Sequence, residues 1–166
     1  LDLLRLKGKL DDANLLATQL DQHFAQLAPT LRVKHLLHKF VIALEDGLTH
    51  TATELQQKID PLKTALEFSD AITYQVAAAL HLTMQNKPQL ANQQLKIAQM
   101  GLQQSGLCTI QIATLLEILG HATRDSNTTM ANKATTTAQS FLTQLGATSR
   151  LTHAPAATSR PSHKNP

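Results

Sequence analysis

The feature that most constrains this chain is the spacing of four alanines. Ala13, Ala52, Ala91 and Ala131 lie 39, 39 and 40 residues apart. Each stands five residues after a turn-forming residue: Gly8, Gly47, Asn86 and Ser126. Each is also followed at four and seven residues by a second pair of positions: Ala17 and Leu20, Gln56 and Ile59, Leu95 and Ala98, Thr135 and Ala138. A unit of about 40 residues built from two helices cannot bury an apolar face alone and must stack on its neighbours. An alanine early in the second helix of such a pair permits a close crossing, which a larger side chain would push apart.

Between the anchors the apolar pattern is helical. Leu31, Val33, Leu36, Leu37, Phe40, Val41 and Leu44 recur at three and four residues, with Arg32, Lys34, His35, His38 and Lys39 interleaved. Residues 72–85 repeat this through Ile72, Val76, Ala79, Leu80 and Met84, and residues 110–122 through Ile110, Ile112, Leu115, Leu116, Ile118 and Leu119. Gly8 and Gly47 follow periodic runs, where a left-handed cap residue belongs. Pro88 suits a first helical position, and Asp125-Ser126-Asn127 offers oxygens to cap the helix that follows. Gly106 and Thr109 mark another boundary, and Pro61 predicts a kink or break near Asp60. These signals predict a fragment 1–7 paired with 10–27, then 31–45 with 49–67, 72–85 with 88–104, and 109–123 with 128–145.

Composition narrows the class. Six glycines and six prolines are too few for a sandwich with many tight turns, and one cysteine, Cys108, cannot form an internal disulfide or a cysteine-rich zinc module. No run approaches the length of a membrane span. The opening Leu-Asp-Leu-Leu-Arg-Leu-Lys-Gly lacks an initiating Met and the features of a signal peptide, so the chain is expected to begin inside a helix of a longer protein. The net charge of +3 suggests an acidic partner at first sight. Arg150, Arg160 and Lys164 account for it, and the other 12 basic side chains are matched by 12 acidic ones. Residues 148–166 contain three prolines and no acid, and are expected to form a disordered basic tail or linker after a folded domain at 1–147.

The segment from Gly8 through Ala13, Ala17 and Leu20 resembles the second half of a tetratricopeptide repeat, as does Ala91 with Leu95 and Ala98. The likeness covers roughly residues 1–147. Gln56 and Thr135 stand where that pattern has large apolar residues, and the period exceeds the usual ~34. Repeats this long resemble the solenoid of MalT-like bacterial transcription regulators, which senses an inducer or a partner protein; Phe141–Ala147 is similar to their final repeats. The spacing over Ile110–Leu145 is also similar to the last repeat of the tetratricopeptide subunit of the cohesin loader. The resemblance implies an all-α, right-handed solenoid of about four TPR-like helix pairs, the first incomplete.

Other constellations have plainer readings. His35 and His38 lie three apart, but Lys34 and Lys39 interleave them and would repel a cation, so a solvated helix face is expected there rather than a metal site. The run Arg32-Lys34-His35-His38-Lys39 is the only local basic cluster, without the stacking aromatics of a nucleic-acid binder. His81 and His121 lack the flanking residues of a phosphotransfer site. Cys108 sits at a helix start, where the dipole can lower a thiol pKa, but has no catalytic partner in the pattern, so a packed, inert thiol is expected. Asp11-Asp12 and Glu45-Asp46 read as surface charge, and no phosphate loop, dinucleotide fingerprint or nucleophile elbow occurs.

The expected function is therefore a non-catalytic protein–protein interaction scaffold without cofactor or metal, part of a larger regulatory protein or complex. Its partner is a peptide or helix of another protein, with no membrane and no direct nucleic-acid contact from the folded body. Cytoplasmic residence is expected, or nuclear for the cohesin-loader alternative. The other expectation is a ligand-sensing regulatory domain, for which a buried polar pocket would speak. Solenoids line a concave surface with the first helix of each pair, which makes Lys34, Val41, Glu45, Thr73, Leu80 and Met84 the groove-facing candidates.

Overall fold

The computed structural model describes residues 9–147. Among these, every regular element is helical and no strand occurs. In chain order the α-helices are α1 (Leu10–Asp21), α2 (Pro29–Glu45), α3 (Thr49–Ile59), α4 (Phe68–Met84), α5 (Pro88–Ser105), α6 (Ile110–Thr123) and α7 (Thr128–Gln144). Short 3₁₀ turns follow α1 at Phe24–Gln26 and α3 at Asp60–Ala65. The predicted fragment 1–7, the cap at Gly8 and the tail 148–166 lie outside the described residues.

The stops are chemical. Gly47 has φ +72° and closes α2 with two bonds, its own N–H to the Leu44 carbonyl and the Leu48 N–H to the Ala43 carbonyl. Asn86, 39 residues on, does the same for α4 at φ +57°, an uncommon conformation that asparagine tolerates better than most. Pro88 takes the first position of α5. Thr109 Oγ1 accepts from the Ile112 N–H at 3.2 Å, and Asn127 Oδ1 from the Met130 N–H at 3.0 Å. Pro61 ends regular α-helix as predicted, and the chain tightens to 3₁₀ from Asp60. A matching break after Asp21 was not signalled, since no proline is there. The first turns of α2 and α4 were also missed: Pro29 and Phe68 start them, ahead of the apolar rhythm.

Turns of three or four residues fold α2 onto α3, α4 onto α5 and α6 onto α7 as helical hairpins. Helices α2, α4 and α6 also pack on one another in that order, and α1 packs on α2. The core follows these first helices: residues 72–74 and 76–81 of α4 are all buried, and α2 and α6 are nearly as enclosed. Helices α3, α5 and α7 bury one stripe each. Ala13, Ala52, Ala91 and Ala131 are each the fourth residue of their helix, and all four are buried.

Candidate functional site

Burial corrects half of the expected groove. Val41, Thr73 and Leu80 are buried in the core, because α4 has neighbours on every side and α2 lies against it. No partner reaches them. Lys34, Glu45 and Met84 are partly exposed. Lys34 is committed to Asp70 at 3.4 Å, an ion pair that ties α2 to α4, and Met84 packs against the core.

The expected solvated face at His35 is also corrected. His35 is buried under the Phe24 ring, and its Nε2 lies 2.8 Å from Asp21 Oδ1. The Lys39 ammonium donates to the other Asp21 oxygen. Burial pushes the Asp21 carboxyl upward, but the bonds and charges of Lys39 and His35 outweigh it and hold the group below its ordinary value of 3.8. Three members of the basic run, Lys34, His35 and Lys39, are thus paired with carboxylates of this chain. Among the described residues no cluster of three or more His, Cys, Asp or Glu is placed to hold a metal ion, and no helix is long and apolar enough to cross a membrane.

Thirty-nine residues on from this pair, the arrangement recurs with different chemistry: the Tyr74 hydroxyl donates to Asp60 Oδ1 at 2.8 Å. Burial and the Asp60 carboxylate push the phenol up to about 12, so it stays a donor. The Gln56 amide nitrogen donates to Tyr74 OH at 3.4 Å, and its oxygen lies 2.7 Å from His81 Nδ1. His81 has no exposed surface. Its Nε2 lies 2.9 Å from the Gln85 amide nitrogen and 3.1 Å from Thr53 Oγ1. Thr53 donates its hydroxyl proton to the Thr49 carbonyl, so Gln85 is the donor to Nε2. A neutral ring protonated at Nδ1 then donates to the Gln56 oxygen and accepts from the Gln85 amide. Phe40 meets the ring edge-on at 5.6 Å. Burial lowers the imidazole pKa, the Thr49 carbonyl raises it, and the Lys87 charge lowers it again; the net shift is downward. One signal pointed here: Gln56 stands where the alanine-anchored pattern calls for an apolar residue.

The principal open feature lies on the second helices. Between α5 and α7 runs a groove of about 590 Å³, lined by Gln99, Leu102, Gln103, Asn132, Lys133, Thr136, Thr137 and Phe141. Its volume is that of a site for a small ligand or a short stretch of peptide. Leu102 and Phe141 supply apolar floor, and Met100 stands exposed beside Gln99 on α5. The Cys108 thiol, pushed up by burial, donates to the Phe141 carbonyl at 3.6 Å and ties the start of α6 to the end of α7. Sequence reasoning missed the groove because it placed partner binding on the first helices. Its lining residues are amides and hydroxyls with no motif.

No family, curated protein or solved structure matches the chain.

Proposed function

We propose that this chain is a right-handed, TPR-like helical-repeat solenoid that acts as a non-catalytic protein-interaction scaffold, with the groove between α5 and α7 as its docking place. Three observations support the repeat reading. The four alanines hold one position in four helices. The Asp21–His35 and Asp60–Tyr74 bonds stand 39 residues apart. Helices α2, α4 and α6 pack in series. The docking reading is carried by the groove itself, where Leu102 and Phe141 lie beneath an open row of polar side chains. A small-molecule sensor would need a buried polar pocket. The buried polar cluster at His81 is instead closed by its own partners, which favours the scaffold. In line with the resemblances, the scaffold would serve a larger regulatory protein or complex.

The test is selection from a displayed library of random twelve-residue peptides on the full chain. Enrichment is expected, and Thr136→Trp, which fills the groove from an exposed position, should abolish binding of the selected peptides without changing the helical circular dichroism spectrum. Selected peptides that bind the tryptophan variant unchanged would refute the docking site.

A further inference from the structure

The groove's walls carry more information than its volume. Helix α5 contains one charged residue, Lys96, and α7 contains one, Lys133; neither helix has an acidic side chain. Lys133 lines the groove, and Lys96 lies one turn before Gln99 on α5. Both lysines are exposed, and among the described residues neither has an ion-pair partner. This contrasts with Lys34 and Lys39 at the other end of the molecule, which are paired to Asp70 and Asp21. The two helices that wall the groove therefore bring positive side-chain charge and no negative charge to it, although the folded body as a whole is neutral.

The polar lining also selects a conformation. The side-chain amides of Gln99, Gln103 and Asn132 make no hydrogen bond to other described residues, so each presents a donor and an acceptor to the groove. A helix has already satisfied its own main-chain N–H and C=O groups and gains little from such a wall. An extended segment carries those groups unpaired and matches it.

We infer that the α5–α7 groove takes an extended segment of a partner protein, in which apolar side chains reach Leu102 and Phe141, acidic side chains flank them near Lys96 and Lys133, and main-chain groups bond the amides. This rests on the docking reading above and names the chemistry of its partner.

The experiment reads the sequences and shapes of the peptides selected on the full chain. Acidic residues should be enriched on one or both sides of an apolar pair. Selection on the Lys96→Glu/Lys133→Glu variant should turn that preference toward basic residues. Affinity of a selected acidic peptide for this variant should fall about tenfold or more, and added salt, which weakens binding to the parent, should no longer do so. Transferred nuclear Overhauser effects on a bound peptide should show an extended chain. Selected peptides with no charge preference, a preference that survives the reversal, or a helical bound form would overturn this inference and leave the docking reading standing. Failure to select any peptide that Thr136→Trp displaces would remove both.

Discussion

Gln56 and Thr135 occupy the same step of the alanine spacing, four residues after Ala52 and Ala131, and neither is the apolar residue expected there. The two departures are resolved in opposite ways. At α3 and α4 the solution is polar: Gln56 reaches across to His81 and Tyr74 and fills the space between the helices with a connected set of hydrogen bonds. At α6 and α7 the solution is steric. The small Thr135 faces Gly120, and a Cβ on that glycine would come within 2.4 Å of Thr135 Oγ1 and 3.3 Å of the Ala131 carbonyl oxygen. The helices close onto bare backbone. Gly120 is 39 residues after His81, so one step of the sequence interval holds a side chain bonded at both ring nitrogens in one hairpin and no side chain at all in another. A helix interface tolerates a polar or undersized residue when its partner changes with it.

The largest effect should come from breaking the polar solution on one side only. His81→Leu takes the partner from the half-buried Gln56 oxygen and one of two partners from the half-buried Gln85 amide, which keeps Thr53 Oγ1, at a cost of about 2 kcal/mol. Adding Gln56→Leu removes the Gln56 orphan and should recover at least about 1 kcal/mol, since replacing both members of a buried polar pair by apolar groups is far less costly than replacing one. Urea unfolding of the two variants measures both. If the single change costs less than the double, the cluster does not hold α3 to α4.

The steric solution should yield a smaller effect with a distinctive sign. Alanine is favoured over glycine inside a helix by about 1 kcal/mol, yet Gly120→Ala is expected to destabilise by about 1–2 kcal/mol because α7 must move away. In a Thr135→Ala background the nearest clash is gone, and the same substitution should become neutral or stabilising. A double-mutant cycle reads this as a coupling of about 1 kcal/mol or more. Additive effects would mean that the helices are not held together at this point.

Much of the fold was legible in the sequence, for physical reasons that also explain the misses. Helix starts and stops are local, so Gly47, Pro61, Pro88, Thr109 and Asn127 could be read directly. The four alanines marked buried crossings because little else fits a close approach. Side-chain roles set by neighbours distant in sequence were not legible. The lysines around His35 suggested solvent, yet Asp21, fourteen residues earlier, draws both His35 and Lys39 inward. Val41, Thr73 and Leu80 had the phase of an exposed face, but that face is covered by the next helix in the series. The groove between α5 and α7 could not be read at all, because it depends on the distance between two helices whose outward residues are ordinary amides, hydroxyls and lysines.

The smallest predicted effect, and the one that separates the two interfaces most cleanly, is the response to pH. His81 is neutral and enclosed, and its folded pKa lies below the ordinary value of 6.5. As pH falls below about 6.5, the unfolded chain binds a proton at this residue before the folded chain does. The contribution of His81 is therefore complete above about pH 6.5 and declines as the pH drops toward the folded value. The Asp21 carboxyl, held below 3.8, loses its contribution only in a more acidic window. Urea midpoints measured from pH 7.5 to pH 5 should fall in the parent protein and fall less steeply in His81→Leu. Gly120→Ala, which disturbs the other interface and leaves the imidazole in place, should keep the parent slope. Equal slopes in all three proteins would show that His81 takes no part in the pH response, and that the polar interface resists acid as well as the steric one does.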